Sequence, residues 1–399
     1  MSSSVVPVAY SEPIFDGACD AIPTGQTQWK RQRLATGPSG SFWAKAEYLY
    51  WDRTGAEFPP LVTTSGSGTA RVNAGTLGDF SSVIFGGSDE LDGQESGGRY
   101  SIGFWWDDSQ DLGVEFTYIN LGDQDLSFTA RSSEHAILAR PFFNTDAGLE
   151  DARLLAFPNE VSGNIEINAD SSFQLFDLAI RRNVSSRRGT PVYLLMGYRG
   201  GDFDESIRIA DTSTSLAGAT QGVSLSSTDA FQVENEFHGF RVGLANEMSL
   251  RGLPLNAIPL FRGLVLAVDG SVSVGQTNRQ IMISGQSVTN NGLGQSTTSN
   301  GGLLTQPTNI GQYDSDSFGT LHDVSLKLTK RIGRNLSANL GYSLYGWSNV
   351  GRAAEQIDRR VNPTQVGGGT LSGLQRPAFN EATNDFVAHG ITFGASMTW

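Results

Sequence analysis

The last eleven residues, His389 to Trp399, leave a chain little choice of fold. Odd positions read His389, Ile391, Phe393, Ala395, Met397, Trp399; even positions read Gly390, Thr392, Gly394, Ser396, Thr398. A strict period of two gives a strand with one apolar face and one small, polar face. The strand ends on an aromatic residue. Transmembrane barrels combine these features, because the closing strand presents apolar side chains to lipid and an aromatic residue to the bilayer interface. The expected fold is all-β: a closed antiparallel transmembrane β-barrel.

The same alternation recurs along the chain. Ser41–Trp51 alternates Phe42, Ala44, Ala46, Tyr48 and Tyr50 with Trp43, Lys45, Glu47 and Leu49. Charges on a lipid face cost kilocalories each, so the Lys45/Glu47 face is assigned to the lumen. Nine further strands follow. They are Gly97–Trp106, Leu112 to about Arg131, Val161–Arg182, Thr190–Ala210, Thr228–Leu250, Ile258–Ile283, Phe318–Ile332, a ninth marked by Leu336 to Leu344, and the closing one. The count is about ten, with twelve open if a long segment splits. Five long polar connections alternate with four short ones, such as Asp107–Gln110, Asn183–Gly189, Arg251–Ala257 and Gly333-Arg334. That sorting fits long extracellular loops and short periplasmic turns, and a soluble β-sandwich, the alternative, has no need of it.

Composition allows this fold and excludes others. No run of eighteen uncharged apolar residues exists, so no helix can span a membrane. Mean hydropathy is −0.22, which a barrel tolerates because only alternate residues meet lipid. A net charge of −13 argues against nucleic acid. One cysteine, Cys19, supports neither a disulfide framework nor a multi-cysteine metal site, and its flanks do not suit lipidation. Residues 1–40 have no periodicity and read as a flexible N-terminal segment, with the barrel over 41–399. Met1–Tyr10 shows no signal peptide, so an outer-membrane location requires the export signal to lie elsewhere.

Parity assigns Lys45, Arg99, Arg181, Arg199, Arg241 and Lys327 to the lumen, against Glu47, Glu115, Asp177, Glu247 and Asp269. Near-balanced charge in a narrow barrel should pair. Two readings stay open. One is a small diffusion pore with a charge-paired lumen, kept alive by inward Gly103, Gly113, Gly197, Gly243, Gly341 and Gly394. The other is a plugged structural or surface-display barrel. Trp51, Trp106, Tyr118, Tyr198, Tyr342 and Trp399 read as interfacial girdles.

Catalysis is not expected: His322 and Asp323 are adjacent, so they point to opposite faces. Nor is a cofactor or metal, since Asp202, Asp204 and Glu205, and Asp314 with Asp316, match no calcium loop. The apolar segments 136–143 and 154–158 are expected either to order the second loop or to form a site for a surface partner. The remaining expected partners are the outer-membrane bilayer and, through the C-terminal strand, the barrel-assembly machinery.

The motifs SFWAKAEYLYW, FPPLVTTS, GGRYSIGFWWDDSQDLGVEFTYINLGD, LARPFFN, LLAFPNEVSGNIEI, FQLFDLAIRRNV, LLMGYRGGDFDESIRI and FHGFRVGL resemble the putative beta-barrel porin 7 family, known mainly from planctomycete bacteria. The resemblance spans about Ser41 to Trp399. It implies an outer-membrane β-barrel and no established substrate.

Overall fold

The alternating segments build a closed wall in the computed structural model, which describes residues 41–185, 190–250 and 262–399. Ten antiparallel strands make the wall. They are β1 (Phe42–Arg53), β2 (Gly93–Trp105), β3 (Leu112–Arg131), β4 (Val161–Ser185) and β5 (Val192–Ser215), then β6 (Ser224–Ser249), β7 (Leu264–Asn290), β8 (Gly311–Arg331), β9 (Leu336–Gly351) and β10 (Thr383–Thr398). Each strand pairs with its neighbours in sequence, and β10 returns to β1 in register from Trp43↔Thr398 to Arg53↔Ala388. At the seam, Phe42 and Trp399 exchange backbone hydrogen bonds of 3.1 Å. Ten strands, not twelve, complete the wall, and it has no sandwich architecture. The expected N-terminal segment, residues 1–40, lies outside the described residues, as does the turn expected at Arg251–Ala257 and most of the one at Asn183–Gly189.

The strands run further toward the long-connection end than the apolar alternation suggests, because the alternation changes phase partway along. On β4, Phe176, Leu178 and Ile180 face outward and are exposed. Further out on the same strand Ile165 and Ile167 point inward, fully buried, while Glu166 and Asn168 take the outer face. β6 does the same, with Phe240, Val242 and Leu244 outside but Phe231 and Val233 inside. Lipid wants apolar atoms outside. Beyond the lipid, water wants polar ones there, so the apolar side turns inward to a protein core. This inversion corrects the expected boundaries. The third outer connection spans only 216–223, because β5 and β6 continue through segments read as loop.

Other corrections concern turns and girdles. Gly333-Arg334 is not a two-residue turn. Such turns need positive φ, and neither residue has it, so the connection takes four residues, with Ile332 and Gly333 both donating to the Leu336 carbonyl. Trp106, Tyr198, Tyr342 and Trp399 are exposed on the outer face as girdle residues should be. Trp51 is not; it shares the parity of Trp43 and is fully buried inside.

The phase change gives a test within one strand face. Leu178→Arg should destabilise the folded barrel by about 2–4 kcal/mol, the cost of a cation deep in lipid. Asn168→Arg, on the same face further out, should cost less than about 0.5 kcal/mol, as for an ordinary surface substitution. Urea titration in liposomes measures both.

Candidate functional site

Every charge assigned to the lumen by parity is found on the inner wall, and the lumen is filled in tiers. At the inner end, Trp43, Trp105, Tyr193, Leu195 and Ala245 cluster on one side. The Trp43 and Trp105 rings sit 4.9 Å apart. They lie where the inward glycines leave room: a Cβ on Gly103 would fall within 2.0 Å of the Trp43 ring, and one on Gly113 within 2.7 Å of that of Trp105. The space these two glycines provide therefore holds tryptophan instead of a passage.

The charges form the next tier. Arg199 bridges Asp177 at 2.5 Å and Asp323 at 2.7 Å. Arg241 bridges the same two carboxylates at 3.0 and 3.8 Å and donates to Ser271 at 2.8 Å. The result is a closed ring of alternating sign, tying β4, β5, β6, β7 and β8 together. Glu47 of β1 holds Arg99 at 2.5 Å and Lys327 of β8 at 3.1 Å. Toward the inner end the pairing loosens: Lys45–Glu115 is 3.7 Å, Arg181–Glu115 3.4 Å and Arg181–Glu247 3.5 Å. Between these groups lies a cavity of about 50 Å³ that Asp269 also lines, room for a few waters. Asp323 was missed from the sequence as a lumen residue, though the outward parity of His322 implies its position. His322 and Asp323 do point to opposite faces, the latter buried. With Asp323 the anions equal the six cations in number.

Above the charges an apolar layer crosses the lumen. Trp51, Phe173, Phe203, Phe237, Tyr345, Trp347 and Phe386 are its aromatic members. Trp51 stacks on Tyr345 at 5.1 Å, the tilted rings of Phe203 and Phe386 sit 4.4 Å apart, and Phe237 meets Trp347 edge-on at 5.8 Å. The indole N–H groups are satisfied, Trp51 donating to Thr392 and Trp347 to Thr277.

The outermost tier is made by the connections. Strands Val62–Ser65, Ser82–Phe85, Ile137–Asn144, Leu149–Ala156 and Arg360–Val361 form a small sheet whose apolar side chains join Ile165, Ile207, Phe231 and Ile281 of the wall in one core. Within segments 136–143 and 154–158, Ile137, Leu138, Ala139 and Leu155 are fully buried, so these side chains pack inward and order the second connection. Buried ion pairs fix the connections to the wall. Arg140 reaches Asp211 at 2.8 Å and Asp229 at 2.7 Å, Arg153 reaches Asp211 at 2.7 Å, and Arg352 reaches Glu205 at 2.8 Å. Burial alone would depress the Arg140 guanidinium, but Asp229 and Asp211 hold it above its usual range. Glu205 thus faces inward and does not share a surface with Asp202 and Asp204. Composition gave no hint of these pairs, since each joins a connection to a distant strand.

Asp202 and Asp204 face outward beyond the Tyr198 girdle, directly across from Glu236 and Glu234. Burial first, then Glu234 and Asp202, push the Asp204 carboxyl up to about 6. Among the described residues, no three His, Cys, Asp or Glu side chains converge to hold a metal.

Two predictions follow from these contacts. Asp177→Asn leaves Arg199 and Arg241 underpaired in the interior and should cost about 3–5 kcal/mol, whereas Lys45→Met, at a 3.7 Å pair with 29% exposure of the lysine, should cost less than about 1 kcal/mol; unfolding titrations compare them. For Asp204 the folded carboxyl titrates above its unfolded value, so the folded state binds more protons between about 3.8 and 6 and loses stability as pH rises through that window. Asp204→Asn should flatten the stability profile there and raise stability at neutral pH.

Comparison with known proteins agrees with this architecture. No curated protein matches by sequence. Similar solved structures include the outer membrane protease OmpT from Escherichia coli, 9% identical over 91% of this chain and 97% of that one, with a TM-score of 0.39. A Pseudomonas aeruginosa FadL homologue is 7% identical over 89% of each chain, with a TM-score of 0.21. The Ralstonia pickettii toluene transporter TbuX is 8% identical over 91% and 90%, with a TM-score of 0.17. Such values carry nothing about what this chain does. The model of the family described as Putative beta barrel porin-7 matches residues 43–399, the whole wall but its first residue. The chain belongs to that β-barrel family.

Proposed function

We propose that this outer-membrane β-barrel resides in the outer membrane as a closed structural platform, displaying its outer sheet and connections at the cell surface without catalytic activity. The observation that carries the reading is the apolar layer: seven aromatic side chains, each at most 4% exposed, packed across the lumen between the charged tier and the cap that the outer sheet and connections form. A hydrophobic constriction excludes water, and with it ions. Insertion runs through β10, whose apolar face suits recognition by the barrel-assembly machinery.

A diffusion pore is the second reading. The cavity beside Lys45, Glu115 and Asp269 favours it, and it requires the aromatic layer to part.

Purified protein in planar bilayers should give a flat current trace across the accessible voltage range. Discrete conductance steps from the unmodified protein would refute the closed platform and favour the pore.

A further inference from the structure

The lumen is not equally dry along its length. Outward of the aromatic layer the inward side chains are buried: Val233 and Ile281 by the cap core, Asp229 and Arg140 by each other. Inward of it, past the buried ring of Asp177, Arg199, Arg241 and Asp323, they become partly accessible. The Lys45 side chain is 29% exposed, Glu247 17%, and Glu115 and Lys327 each 13%. The two sides of this inner half also differ. Trp43, Trp105 and Tyr193 pack against β1–β6, while the inner ends of β9 and β10 carry only small or polar inward residues, among them Ser337, Asn339 and Ser396, all partly accessible. The shortest contacts follow the same trend: beside the aromatic layer Arg199 reaches Asp177 at 2.5 Å and Asp323 at 2.7 Å, whereas toward the inner end Glu115 and Glu247 are no nearer than 3.4 Å to a cation. Tight pairs are what a dry site requires; loose ones are tolerable where water completes the solvation.

We infer that the lumen is a blind half-channel: a hydrated chamber, open to the periplasm along β9 and β10, that ends against the aromatic layer. This rests on the closed-platform reading and adds a polarity to it. From the periplasm the chamber admits water and small hydrated ions, to which it presents charges of both signs. From the cell surface nothing reaches it. The closure belongs to the wall itself, because Trp51, Phe203, Phe237, Tyr345 and Trp347 all stand on barrel strands and none on the cap.

Thiol accessibility tests this. In a Cys19→Ser background, single substitutions Asn339→Cys and Ser396→Cys place a reporter in the chamber. Val233→Cys places one beyond the aromatic layer, and Arg208→Cys one on the exposed outer face. A membrane-impermeant maleimide is applied to intact cells and to cells with permeabilised outer membranes. Positions 339 and 396 should label only after permeabilisation, 208 in both cases, and 233 in neither. Labelling of 339 or 396 from the surface of intact cells would overturn both the half-channel and the closed platform. Resistance of both positions to reagent after permeabilisation would overturn the half-channel alone, leaving a barrel silent in bilayers still a closed platform. Labelling of 233 after permeabilisation would show that the aromatic layer is not where the chamber ends.

Discussion

The structure depends on a closed ladder of backbone hydrogen bonds. In hydrocarbon no water is available to pair an open strand edge, so a sheet that crosses it must return to its own first strand. Here β10 meets β1 over the full length of β1, and the seam reaches the chain's terminal residue. Closure at ten strands then sets the lumen's width. That width is slightly more than side chains fill unaided, and it accounts for the size of the groups found within: tryptophan, phenylalanine and paired arginine.

Two solvents meet the outer surface of one wall, and the inner surface has to complement both. Where lipid lies outside, the inner face carries charge, which survives burial because Asp177, Arg199, Arg241 and Asp323 close a ring that leaves no member without a counter-ion. Where water lies outside, the inner face is isoleucine and phenylalanine and needs an apolar filling. The connections supply that filling, and their arginines pair with wall carboxylates. The aromatic layer sits at the crossing between the two regimes.

The regular part of this design was legible along the chain. Parity alone assigned eleven charged residues to the interior, and all eleven are there. It also separated His322 from Asp323. Apart from the Gly333-Arg334 turn, the errors share one cause: the alternation was read with lipid as the only outside solvent. Trp51 was placed in the girdle, and the outer ends of β5 to β8 were read as loop. Trp51 faces the aromatic layer inside the wall, and the outer strand ends, such as 211–215 and 311–317, carry few apolar residues because water, not lipid, lies outside them.

The sequence by itself determined the wall: period-two alternation encodes strand, face and solvent locally, since each side chain's direction follows from its neighbour's. Only the tertiary structure decided whether the wall encloses a passage. Filling a lumen depends on contacts between residues far apart in the chain, such as Arg352 with Glu205 or Phe203 with Phe386, and no local pattern records which distant side chains will meet.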